Sequence, residues 1–182
     1  MSDLDFYAHV ATHCDVFGVG VGSDPDDWEA ALGSDYLDVF GRGRLRRDYG
    51  LVEVSFFRNP QGTYSCSGFS VQIHRQLYAS SPGDVPLPLS REYGNFAPRA
   101  QYEEVRARIL SMGHSIELEK PDHIHRYHVP ESGARVFVMA DPNPYGSCDH
   151  DPADPELHQA DDVWSVSVAC RPLGSRGGVE PR

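Results

Sequence analysis

The run HIHRYH, residues 123–128, is the first stretch of the chain that could do chemistry. Zinc takes three or four N, S or O ligands converging on a tetrahedron. In an extended chain His123 and His125 share a face and His128 points the other way. Completing a site would need His114, His150 or His158 from elsewhere, so the run reads as strand histidines and no metal is expected. Cys148-Asp149-His150 puts a thiol beside an imidazole, but nucleophile–base pairs are assembled by the fold and not by adjacency. There is no G-x-S-x-G elbow either, and no catalytic residue or cofactor is expected. GVGVG, residues 18–22, lacks the Lys of a phosphate loop, and Ser23 stands where the dinucleotide fingerprint needs spacing to a further Gly. A calcium loop counted from Asp141 places Pro152 where the bidentate Glu belongs; only a loose cation contact at Asp149 and Asp151 remains. Arg42, Arg44, Arg46 and Arg47 form a basic cluster that invites a nucleic-acid reading.

Charge distribution argues against that reading. The chain has 182 residues and a net charge of −11. Residues 1–41 carry nine acidic side chains and no Lys or Arg, and residues 141–162 carry seven and again no base. Such a surface repels nucleic acid and attracts basic partners. The arginines are therefore expected to pair with carboxylates or to form a solvated edge. No apolar run approaches the length of a membrane span, and the start, MSDLDFYAHV, has no basic segment of the secretory kind. Four scattered cysteines without C-x-x-C read as reduced thiols, so a cytoplasmic protein is expected.

These groups must be carried by a scaffold that the hydrophobic pattern sketches. Leu4, Phe6, Tyr7, Val10 and Cys14 have helical spacing. Ser23-Asp24-Pro25 predicts a helix start, with Gly33 as its end. Val52, Val54 and Phe56 alternate with Glu53 and Ser55, which predicts a half-buried strand. After the turn at 59–62, the return strand TYSCSGFSVQIHR changes phase, and one extra residue near Gly68 reconciles it as a β-bulge. Residues 79–98 read as a long connection, Pro98–Met112 as a helix, and 115–119, 123–129, 135–140 and 163–169 as strands. Val136–Met139, apolar on both faces, predicts a central strand. The proline-broken acidic segment 141–162 reads as loop and 173–182 as a disordered tail. The expected fold is α+β, one domain over 1–172, with an antiparallel sheet of five to six strands and two or three helices packed mainly on one face.

Leu32-Gly33, Arg46 to Glu53 (RRDYGLVE) and Gln72 to Arg75 (QIHR) together resemble small actinobacterial immunity-like proteins of polymorphic toxin systems. The match covers residues 25–77. The resemblance implies a non-catalytic protein that binds and neutralises a cognate toxin, and toxins that attack nucleic acid are basic in their clefts. The acidic loop then becomes the expected contact surface, through Asp149, Asp151, Asp154, Glu156, Asp161 and Asp162, with Tyr145 as its aromatic anchor. The competing readings are a small metal-dependent enzyme using the histidines and a regulatory or scaffolding domain.

Overall fold

A computed structural model describes residues 1–79, 84–144, 146, 151, 154 and 156–169. Its first helix, α1 (Asp3–His13), starts from a capping box in which Ser2 and Asp5 exchange hydrogen bonds. A short hairpin follows, β1 (Asp15–Val16) and β2 (Val19–Gly20). Helix α2 (Pro25–Leu32) starts as its sequence predicts: the Asp24 carboxylate accepts from the backbone of Asp26 and Asp27, and Pro25 opens the first turn. Then come β3 (Leu37–Gly41), β4 (Arg44–Asp48), β5 (Val52–Arg58) and β6 (Tyr64–Val71). A 3-10 turn (Ile73–Tyr78) and helices α3 (Leu87–Tyr93) and α4 (Tyr102–Ser111) lead to β7 (Glu117–Lys120), β8 (Ile124–His128), β9 (Arg135–Met139) and β10 (Val163–Ala169).

Eight of these strands form one sheet in the order β3-β4-β5-β6-β10-β9-β8-β7, every pair antiparallel. The α+β class and the antiparallel sheet match the expectation, while the described strands outnumber the five or six expected, and the four described α-helices and one 3-10 helix outnumber the two or three helices expected. The extra pair is β3–β4, where a buried arginine hides the alternation: Leu45 and Arg47 face inward and Arg44 and Arg46 outward. The bulge falls where the phase change put it. Ser55 pairs with Gly68 and Phe56 with Cys66, leaving Ser67 as the extra residue. Gly68 is required there, because a Cβ would come within 2.7 Å of the Val168 carbonyl oxygen. β9 lies inside the sheet, as its two-sided apolar sequence implies.

Three other boundaries differ from expectation for local reasons. The return strand stops at Val71 instead of running to Arg75. A 3-10 turn lets Ile73, His74 and Arg75 fan out to three targets, which strand alternation forbids. The connection before Pro98 contains α3. Conversely, α4 begins at Tyr102 and not at Pro98, because the residues before it are tied to the approach of β10. Val163 N–H donates to the Ala100 carbonyl at 2.8 Å and Tyr102 N–H to the Asp161 carbonyl at 2.9 Å.

The core lies on one face of the sheet. Val54, Phe69, Val71, Val136, Val166 and Val168 point to it, and Phe6, Tyr7 and Val10 of α1 and Trp28 of α2 fill it without exposure. Trp28 meets Phe69 at 5.0 Å between rings, and Tyr102 of α4 stacks on Tyr127 at 4.2 Å. Burial of each large side chain contributes about 1.5–3 kcal/mol. Among the described residues no helix is long and apolar enough to cross a membrane.

Candidate functional site

The end of the sheet where β10 starts and β6 finishes gathers most of the chemistry-bearing groups. β6 and β10 pair Val71 with Val166, so the 3-10 turn after β6 lies beside the first residues of β10. A β-bulge at Trp164 turns its indole towards this turn. His74 stacks on Trp164 at 4.1 Å with the rings 5° from parallel, and its Nδ1 lies 3.2 Å from the Trp164 carbonyl. His158 sits 4.9 Å from Trp164 and 5.6 Å from Tyr78, which is 64% exposed. Burial holds both imidazoles below their ordinary pKa, against a backbone bond at His74 and the Asp162 carboxylate at His158. Both are neutral at physiological pH, so neither imidazole adds a cation to the patch.

The resemblance motif converges on the neighbouring flank. Arg75 Nη1 donates to both carboxylate oxygens of Asp48 at 2.9 and 3.0 Å and to the Gly50 carbonyl at 2.9 Å; Nη2 donates to Glu53 at 2.9 Å. Asp48 and Glu53 are cross-strand partners on β4 and β5, and one guanidinium neutralises both. Gly50 has φ +81°, and a Cβ there would run into the Asp84 carbonyl. Arg47 is buried, donates to both oxygens of Asp38 at 2.8 and 3.0 Å and to the Pro25 carbonyl at 2.9 Å, and lies 3.7 Å over the Tyr36 ring. Arg47 and Arg75 are therefore structural, whereas Arg42 and Arg44 form no ion pair among the described residues.

The acidic segment enters this end of the molecule on a fixed stem. Asp162 is 2% exposed; its carboxylate accepts from Gln101 at 2.6 Å and from the Gln159 backbone at 2.8 Å, and lies 3.4 Å from Arg99. It thus anchors the loop and presents no carboxylate to solvent, unlike the surface role expected of it. Asp161 is exposed, with φ +67°, and its N–H donates to the Met139 carbonyl at 2.7 Å. Asp154 accepts from the Glu156 N–H at 2.9 Å, which shapes the turn beneath the exposed Glu156. Asp151 is exposed. Tyr145 and Asp149 lie outside the described residues, as do Cys148, His150, the calcium-loop end at Pro152 and the tail 173–182.

The histidines of HIHRYH do not gather. His123 Nδ1 pairs with Asp122 at 2.8 Å, His125 lies near Tyr127, and His128 faces Glu117 and Arg135 across the ladder. Among the described residues no three His, Cys, Asp or Glu side chains are placed to hold a metal ion. A second imidazole group appears on α1: His9 and His13 stack at 4.5 Å, and His9 Nε2 lies 3.2 Å from Asp15. His9 borders a depression of about 370 Å³ with Asp5, Tyr93, Arg108 and Met112. Burial pushes the Cys66 thiol up to about 11, and Cys14 Sγ donates to the Ser132 carbonyl at 3.6 Å.

Sequence reasoning did not find His74, Tyr78, His158 and Trp164 as a group. Their separation along the chain hides them; the usable signal was Trp164 at the start of an alternating strand, with His74 closing the motif hairpin. Comparison of the chain with protein-family models, with curated proteins and with solved structures gives no match.

Proposed function

We propose that this chain is a non-catalytic binding protein of the immunity type, which neutralises a protein toxin through a basic surface on that toxin. One observation carries the reading: the acidic segment is held by a buried stem at Asp162 directly beside the ring patch of His74, Tyr78, His158 and Trp164. An acidic segment anchored beside partly exposed aromatic rings suits a protein interface, in which rings supply the central contact and charge supplies steering. The uneven charge, seven acids and no base over 141–162, supports the same partner chemistry. The contact carboxylates are Asp149, Asp151, Asp154, Glu156 and Asp161, with Tyr145 as an anchor and Asp162 as the support behind them. The partner is a protein with a basic cleft, and neither nucleic acid, membrane nor cofactor is involved.

Co-expression tests this. A toxin-like protein encoded beside the gene should co-purify with the chain, and the chain should restore growth to cells expressing that toxin. Failure of both would sink the immunity reading.

A further inference from the structure

The two edges of the eight-stranded sheet are built differently. β7 is guarded: Glu117, Glu119 and Lys120 are exposed, and a register shift between Leu118 and Lys120 interrupts its ladder. Charges and bulges of this kind stop an edge from pairing with another chain. β3 carries no such device. Its five residues pair with β4 in unbroken register, and among the described residues no other element bonds to its outer side. Its single charge, Asp38, is turned back onto Arg47. Leu37, Val39 and Phe40 are 74%, 51% and 69% exposed.

The charge around this edge is also unlike the rest of the chain. Arg42 and Arg44 form no ion pair among the described residues, and Arg46 only reaches Glu53 at 4.0 Å. Arg44 lies 4.9 Å over the exposed Phe57 ring. In a chain of net charge −11 this wing is apolar and basic.

We propose that β3 is a strand-addition site for an extended segment of a partner protein with an apolar centre and an acidic end. The unpaired N–H and C=O groups of β3 supply the backbone ladder, and the alternating side chains supply selectivity. On the face shared by Leu37 and Val39, apolar residues of the incoming strand cover both. On the opposite face another covers Phe40. Gly41 has no side chain and pairs with Arg44, so a carboxylate set beside Gly41 reaches the Arg44 guanidinium, with Arg42 next to it. An antiparallel strand, like every other in this sheet, carries those carboxylates at its N-terminal end. A second copy of the chain fits the edge poorly, because it would set two basic wings and two strongly acidic bodies against each other. The proposal goes beyond the toxin-binding reading and does not depend on the acidic loop.

The test titrates the ¹⁵N-labelled full chain with the capped peptide Asp-Glu-Val-Val-Thr-Val-Thr, which sets Glu opposite Gly41, valines opposite Phe40, Val39 and Leu37, and Asp beside Arg42, and with its counterpart beginning Lys-Lys. The expected result is saturable shifts of the Leu37–Gly41 amides, with the lysine peptide at least about tenfold weaker. Leu37→Lys with Val39→Lys, at exposed positions, should abolish the shifts while leaving the thermal transition unchanged. Equal binding of both peptides, binding that survives the lysine variant, or no shift in β3 with either peptide would overturn the proposal. So would a dimer of the unmodified chain in sedimentation that the Val39→Lys change dissolves, because the edge would then belong to a second copy.

Discussion

Replacing Arg75 by Gln removes a guanidinium that bridges Asp48, Gly50 and Glu53 at the end of the motif hairpin. The guanidinium makes four hydrogen bonds, three of them to carboxylate oxygens of Asp48 and Glu53. Charged hydrogen bonds contribute about 1.5–3 kcal/mol each when well buried. Arg75 is 34% exposed on its side chain, with Asp48 at 25% and Glu53 at 18%, so solvent screens part of that value. What remains includes the repulsion of two carboxylates set directly across the β4–β5 ladder. A loss of about 3 kcal/mol follows, equivalent to a fall of roughly 6–12 °C in Tm for a chain of this size. Urea unfolding of Arg75→Gln, Asp48→Asn and the double variant provides the assay. The cycle should return a coupling above about 1 kcal/mol, since the two groups touch. Additive losses, or a single-variant loss below about 1 kcal/mol, would refute the view that this network organises the sheet end.

The remaining expectations concern the same region. Gly50→Ala should cost more than about 1 kcal/mol in urea unfolding, because its φ is positive and its Cβ meets the Asp84 carbonyl. Asp162→Asn should keep the sheet but loosen the acidic loop, read as faster proteolysis within 141–162 and a lower Tm, since a buried carboxylate that pairs Arg99 is lost. His74 and His158 are held below their ordinary value of 6.5 by burial, so the unfolded chain takes up their protons first as pH falls. Stability should therefore drop as pH falls below about 6.5 and level off once both are protonated in the folded chain too; His74→Gln with His158→Gln should flatten the change between about pH 7.5 and about pH 5.5.

Local signals in the sequence located the elements whose ends are chemically marked. Asp24-Pro25 and Gly33 bracket α2, and the phase change between Cys66 and Phe69 locates the bulge. β3 and β4 escaped because Arg47 occupies a core-facing position that reads as polar until Asp38 arrives from the neighbouring strand. α3 escaped because Pro86 and Pro88 read as a connection, although proline is tolerated in a first helical turn. At the site, Asp162 looks like any other carboxylate of an acidic run. Its burial depends on Arg99 and Gln101, about sixty residues away in sequence, and no local pattern encodes that meeting. The aromatic patch is hidden for the same reason, since Tyr78, His158 and Trp164 meet only when β10 pairs with β6.

Hydrogen exchange on the purified chain, alone and with the protein encoded beside its gene, tests the account most directly. The account predicts a stoichiometric complex in which amides of residues 73–78 and 141–162 become protected. A complex that leaves both segments unprotected, or the absence of any complex, would contradict it.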